Sequence, residues 1–145
     1  MLLSAAPVPP KIQLILGGNI KDHHSETQGI YLLVEDFIND RYYWIQRDGT
    51  NAIWFQRSLY TSWTVGPQAY LGQNYTGITL PNAVSSWPTQ IFGGYEFWDG
   101  ASWQSSHSNE ITIKDCTYEK ANHKQIHLAN FKDLQCSYLI VIVFK

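Results

Sequence analysis

The chain has 145 residues, 44% hydrophobic and 15% charged, with a formal net charge of −2. That is apolar material for one domain core and too little charge for a disordered chain. Without clustered Lys and Arg there is no basic field to hold phosphates, which argues against nucleic acid as the main partner.

The aromatic content is high, with six Trp and nine Tyr. Such side chains combine a large apolar body with a polar tip and suit partly wet surfaces as well as cores.

Residues 1–27 read as an N-terminal lead-in. Met1–Pro10 lacks the basic n-region and long apolar h-region of a signal peptide. The expectation is an intracellular chain, or one that begins inside a longer precursor. Pro7, Pro9 and Pro10 break regular structure, and Asp22–Glu26 is polar. Between them Lys11–Leu16 alternates as a strand and stops at Gly17-Gly18.

Residues 28–104 hold the organised part. Gly29–Glu35 reads as a strand, and Asn39-Asp40 signals a turn. Arg41–Arg47 follows and runs to Asp48-Gly49, a hairpin signal. Ala52–Gln56 and Ser62–Val65 come next, ending at Gly66-Pro67. Gln68–Phe92 carries Gly72, Gly77, Pro81 and Pro88 and reads mostly as loop. Gly94–Trp98 and Ala101–Gln104 form a second hairpin through Asp99-Gly100. The fold class expected is all-β: a small antiparallel meander, sandwich or barrel-like sheet with short hairpins and long loops.

Residues 105–145 form a C-terminal extension. Glu110–Lys114 alternates as a strand, and Gln125–Leu128 is a weaker strand candidate. Tyr118–Lys124 is the best helical candidate and is too short to stand alone. The longest apolar run, Tyr138–Phe144, has seven residues, against about 20 for a bilayer span. It reads as a buried terminal strand and as an aggregation hazard if its edge stays open.

Alternation places Tyr42 with Trp44 on one face of its strand and Tyr43 with Ile45 on the other. Ile53 and Phe55 share a face and Trp54 opposes them. Both faces are therefore apolar. Most rings are expected in the core. Trp87, Trp98 and Trp103 flank turns and loops, where a stacking platform for a sugar or a peptide would sit. Tyr95 and Asp99 complete this candidate ligand-binding set.

The ordered series Gly29-Ile-Tyr31, Asn39-Asp-Arg-Tyr-Tyr-Trp44, Asp48-Gly49, Ala52-Ile-Trp-Phe55, Trp63-Thr-Val-Gly66, Leu71-Gly72 and Tyr95-Glu-Phe-Trp-Asp-Gly-Ala-Ser-Trp103 carries a resemblance. It resembles a small Trp-rich β module that recurs, often in tandem, in large secreted or receptor-like proteins of invertebrates and protists. The resemblance covers about residues 28–104. It implies no enzymatic activity and an extracellular or secretory setting. Copies of the module often carry two cysteines in the later loop, and this span has none.

Little in the sequence suggests reaction chemistry. Gly17-Gly18 and Gly93-Gly94 lack the Lys and helix of a phosphate loop. No Ser has a nucleophile-elbow context. His123 and His127 lie about 13 Å apart if on a strand, too far for one metal. Asp22, His23, His24 and Glu26 offer only a loose metal site. Asp36, Asp40, Asp48 and Asp99 fall at predicted turns, where Asp bonds its own backbone. Glu35 and Glu96 form a conceivable glycosidase pair that no other feature supports. Cys116 and Cys136 are a candidate disulfide closing a loop of about 20 residues, worth about 3 kcal/mol, or else two thiols. Asn74-Tyr-Thr76 is a candidate glycosylation site.

The function expected is a non-catalytic recognition or assembly module that binds a protein partner, with no enzyme activity, cofactor or metal. A carbohydrate-binding, lectin-like module is the alternative, as is a structural subunit of a larger complex or filament. A small enzyme is the remaining reading.

Overall fold

The computed structural model describes residues 7–57, 61–74, 77–81, 85–91, 94–106 and 110–116. Nine strands occupy them: β1 (Lys11–Leu16), β2 (Gly29–Ile38), β3 (Arg41–Gln46), β4 (Asn51–Gln56), β5 (Ser62–Pro67), β6 (Ile78–Pro81), β7 (Tyr95–Trp98), β8 (Trp103–Ser106) and β9 (Ile111–Asp115). They form one antiparallel sheet in the order β8-β7-β6-β5-β4-β3-β2-β1-β9. The sheet curls into a nearly closed barrel. The all-β expectation therefore holds.

The meander follows from the turns. Asn39 and Asp40 both have positive φ, 53° and 62°. Two left-handed residues between paired strands match the twist of the sheet. Before this turn β2 carries two extra residues, Glu35 and Asp36, between the Val34–Tyr43 and Phe37–Tyr42 pairs. Asp36 Oδ1 accepts the Phe37 N–H at 2.7 Å and steadies the irregularity. Asp48-Gly49 lies in the connection 47–50 between β3 and β4.

Side chains alternate as a barrel requires. Ile12 and Leu14, Tyr31, Trp44, Ile53, Trp63, Val65, Ile78 and Leu80 point inward and are fully buried. Trp63 meets Trp44 at 5.8 Å and Phe55 at 5.5 Å, both edge-to-face. Trp44 Nε1 donates to the Pro9 carbonyl at 2.9 Å. The outer face also holds a core. Tyr43, Ala52 and Trp54 are buried there with Val34, Ile38, Ile45 and Leu71. Leu71 comes from the β5–β6 connection, so that connection supplies the second layer.

Two elements depart from the expectation. The polar stretch after Gly17 is a helix, α1 (Gly18–His24), followed by a 3-10 turn, Ser25–Thr27. It sends Ile20 into the core. The stretch read as loop contains β6, whose Ile78 and Leu80 face inward between β5 and β7. The segments read as lead-in and extension reach the same sheet: β1 lies between β2 and β9.

Helix α1 and its 3-10 turn are held across one barrel end by a buried amide pair. Gln46 Nε2 donates to the Glu26 and Gln28 carbonyls, both at 2.9 Å. Gln46 Oε1 accepts from the Asn51 amide side chain at 2.9 Å and its backbone N–H at 3.2 Å. Asn51 Nδ2 also reaches the Glu26 carbonyl at 3.1 Å. The pair thus supplies side-chain donors to both carbonyls.

Candidate functional site

The meander gathers its connections at two ends. One end carries α1, the 47–50 and 68–77 connections and the β7–β8 turn, and the other carries the Asn39-Asp40 turn and the β6–β7 connection. This division decides where the five sequence-predicted ligand residues fall.

Trp98 and Trp103 are brought together. They pair directly across the β7–β8 hairpin. Their rings meet edge-to-face, 5.7 Å between centroids at 64°. They remain 39% and 45% exposed, which few large apolar side chains of this fold do. A flat stacking platform needs coplanar rings, and these form a corner instead.

Asp99 shapes the turn beneath them. Its Oδ1 accepts the backbone N–H groups of Ala101 and Ser102 at 2.8 and 2.7 Å. Its Oδ2 accepts from Gln104 Nε2 at 2.9 Å and Ser102 Oγ at 3.3 Å. The Ser102 and Ala101 N–H groups, with the Gln104 and Ser102 side chains, hold its carboxyl down to about 2. Gly100 has φ +100°, so the turn needs a residue without Cβ. Asp99 thus uses its carboxylate to build the hairpin that presents the two Trp rings.

Tyr95 and Trp87 lie elsewhere. Tyr95 is buried, its hydroxyl donating to the Ile91 carbonyl at 3.4 Å. Burial pushes its pKa up. Trp87 is half-buried at the opposite end, against Tyr42 at 6.2 Å. Tyr42 in turn meets the exposed Phe37 at 4.5 Å.

A cleft of about 250 Å³ opens beside Trp98. His23, His24 and Glu26 line it from α1 and its turn, Asn51 and Gly66 from β4 and β5, and Trp98, Asp99 and Gly100 from β7 and the turn after it. His24 Nε2 lies 2.7 Å from the Trp98 carbonyl and acts there as donor, since a carbonyl only accepts. Its Nδ1 stands 3.8 Å from Glu26 Oε1. Its ring meets Phe97 edge-on at 6.1 Å. A Cβ on Gly77 would stand 3.3 Å from the Val65 carbonyl, a tight approach, and 3.6 Å from this ring, an ordinary contact. Helix α1 is therefore pinned to the aromatic hairpin by one histidine. The sequence by itself suggests only a loose metal site for His23 and His24. The residues that would have linked them to Trp98 stand 74 positions away along the chain.

The other sequence candidates find structural roles or fall outside the description. Among the described residues no group of three or more His, Cys, Asp or Glu could hold a metal. Glu35 and Glu96 are both exposed, on β2 and β7, with β3 to β6 between them. Asp40 pairs with Arg57, and Asp48 with Arg47 at 2.8 Å. Asn74 is exposed, while Tyr75 and Thr76 lie outside the described residues. Cys116 is buried and engaged in a disulfide. Cys136, His123, His127, Tyr118–Lys124, Gln125–Leu128 and Tyr138–Phe144 lie outside the described residues. Among the described residues no helix is long and apolar enough to cross a membrane.

No family model, no curated protein and no solved structure matches this chain.

Proposed function

We propose that this protein is a non-catalytic recognition module that holds an extended segment of a protein partner along β8, with Trp98 and Trp103 as anchors. The observation that carries this reading is the exposed Trp pair on a strand at the end of the sheet. Among the described residues β8 pairs on one side only, with β7. Trp103, Gln104 and Ser105 are exposed, and the strand Trp103–Ser106 has no Lys, Pro or acidic residue to guard its edge. An open edge offers backbone hydrogen bonds to an added strand, and aromatic corners offer the anchoring pockets that give such binding its affinity. Asp99 and Gly100 pre-set the hairpin, which lowers the ordering cost of binding.

Selection of extended peptides from a displayed random library against the purified protein tests this. The reading expects peptides whose binding weakens at least about tenfold in Trp103→Ala, each truncated hot-spot ring being worth about 2 kcal/mol. An unchanged circular dichroism spectrum would show that the variant still folds. No enrichment, or enriched peptides that bind Trp103→Ala equally well, would overturn it.

A further inference from the structure

We infer that the cleft between α1 and the β7–β8 turn takes the ring of a neutral sugar residue. This site stands apart from the strand edge and shares only Trp98 with it. Its size sets the first limit. At about 250 Å³ it falls below the range of roughly 300–1,000 Å³ that drug-sized ligands occupy. It has room for one substituted six-membered ring.

Its chemistry sets the second limit. Among the described residues no Lys or Arg lines it, while Glu26 and Asp99 do. An anionic ligand such as a phosphate or a uronate would meet two carboxylates and no cation. A quaternary ammonium is best held by several rings at once, and among the described residues Trp98 is the only Trp, Tyr or Phe on the cleft wall. A sugar hydroxyl both donates and accepts. With Asp99, the Asn51 amide donors and His24 Nε2 committed within the fold, the Glu26 carboxylate accepts and the His23 imidazole donates or accepts according to its tautomer. The Trp98 indole offers an apolar surface for the ring's C–H groups.

The cleft is also pre-formed. His24 is fixed by the Trp98 carbonyl and Phe97, and Asn51 by Gln46 and the Glu26 carbonyl. The two walls are therefore joined before a ligand arrives, which reduces the ordering cost on binding.

The test is saturation-transfer NMR on the full chain with separate probes: methyl hexosides, methyl N-acetylhexosaminides, a methyl uronate and choline. The neutral glycosides should take up saturation, and titrating them should shift the Trp98 indole N–H signal. Replacing both exposed side chains, His23→Ala with Glu26→Ala, should weaken the best glycoside at least about tenfold, at about 1 kcal/mol per lost hydrogen bond. Trp103→Ala should leave it bound, so loss of the strand contact and loss of the sugar site are separable. Saturation of the uronate or choline alone, of none of the probes, or undiminished binding by the double variant would overturn the assignment.

Discussion

Trp44 and Trp54 are both fully buried but differ at one atom. The Trp44 N–H has the Pro9 carbonyl as partner, while the Trp54 N–H is buried without one among the described residues. Replacing either by Phe removes the same volume. Trp44→Phe also strands a carbonyl, whereas Trp54→Phe removes an orphan donor. Chemical denaturation should therefore show Trp44→Phe less stable than Trp54→Phe by about 1 kcal/mol or more. Equal losses would mean the Pro9 contact contributes nothing. At Asp99 the relevant variable is pH. A carboxyl depressed on folding stabilises the native state above its unfolded value, and that contribution is lost as pH falls through its folded value. With the folded value at about 2 and an unfolded one near about 4, acid should loosen the hairpin over that window. The near-ultraviolet circular dichroism of the Trp98–Trp103 pair reports it, and Asp99→Asn should remove this component of the acid response.

At the scale of elements, the buried Gln46–Asn51 pair ties α1 and its 3-10 turn to the barrel. Gln46→Ala leaves the Glu26 and Gln28 carbonyls short of a donor and should cost about 1–3 kcal/mol. It should also speed amide hydrogen exchange in residues 18–28 more than in β4 or β5. The Asn39-Asp40 turn and the strands from β1 to β5 were legible in the sequence because they are short apolar runs rich in β-branched and aromatic residues and bounded by turn residues. β6 was not, since its four residues follow Gly77 and end in Pro81, each a loop signal. Helix α1 was not, since seven residues with one buried side chain and no capping side chain leave no helical period to see. The candidate site was half legible. Proximity to a turn marked Trp98, Asp99 and Trp103. It misled at Tyr95, whose alternation with Phe97 sends it inward, and at Trp87, which belongs to the far end.

At the scale of the molecule, one sheet buries a Trp-rich interior on one face and a smaller cluster on the other. Most of its pairings join distant residues only through successive hairpins, and β9 returns across the sheet to pair with β1. Cys116 closes β9 with its N–H on the Lys11 carbonyl at 2.9 Å, and its disulfide fastens that corner. Reducing the disulfide should lower the unfolding free energy by about 2–4 kcal/mol, read as a shift of the denaturant midpoint. The interior rings stay with the fold, and the Trp98–Trp103 corner, the cleft beside it and the Phe37–Tyr42–Trp87 group at the other end face solvent. We propose the Trp98–Trp103 end as the one that recognises a partner. Its most direct test is amide chemical-shift mapping with a library-selected peptide bound. The largest shifts should fall in β7, the 99–102 turn and β8, with the Trp98 and Trp103 indole signals among them. Shifts concentrated at Phe37, Tyr42 and Trp87 would contradict it and place recognition at the opposite end of the barrel.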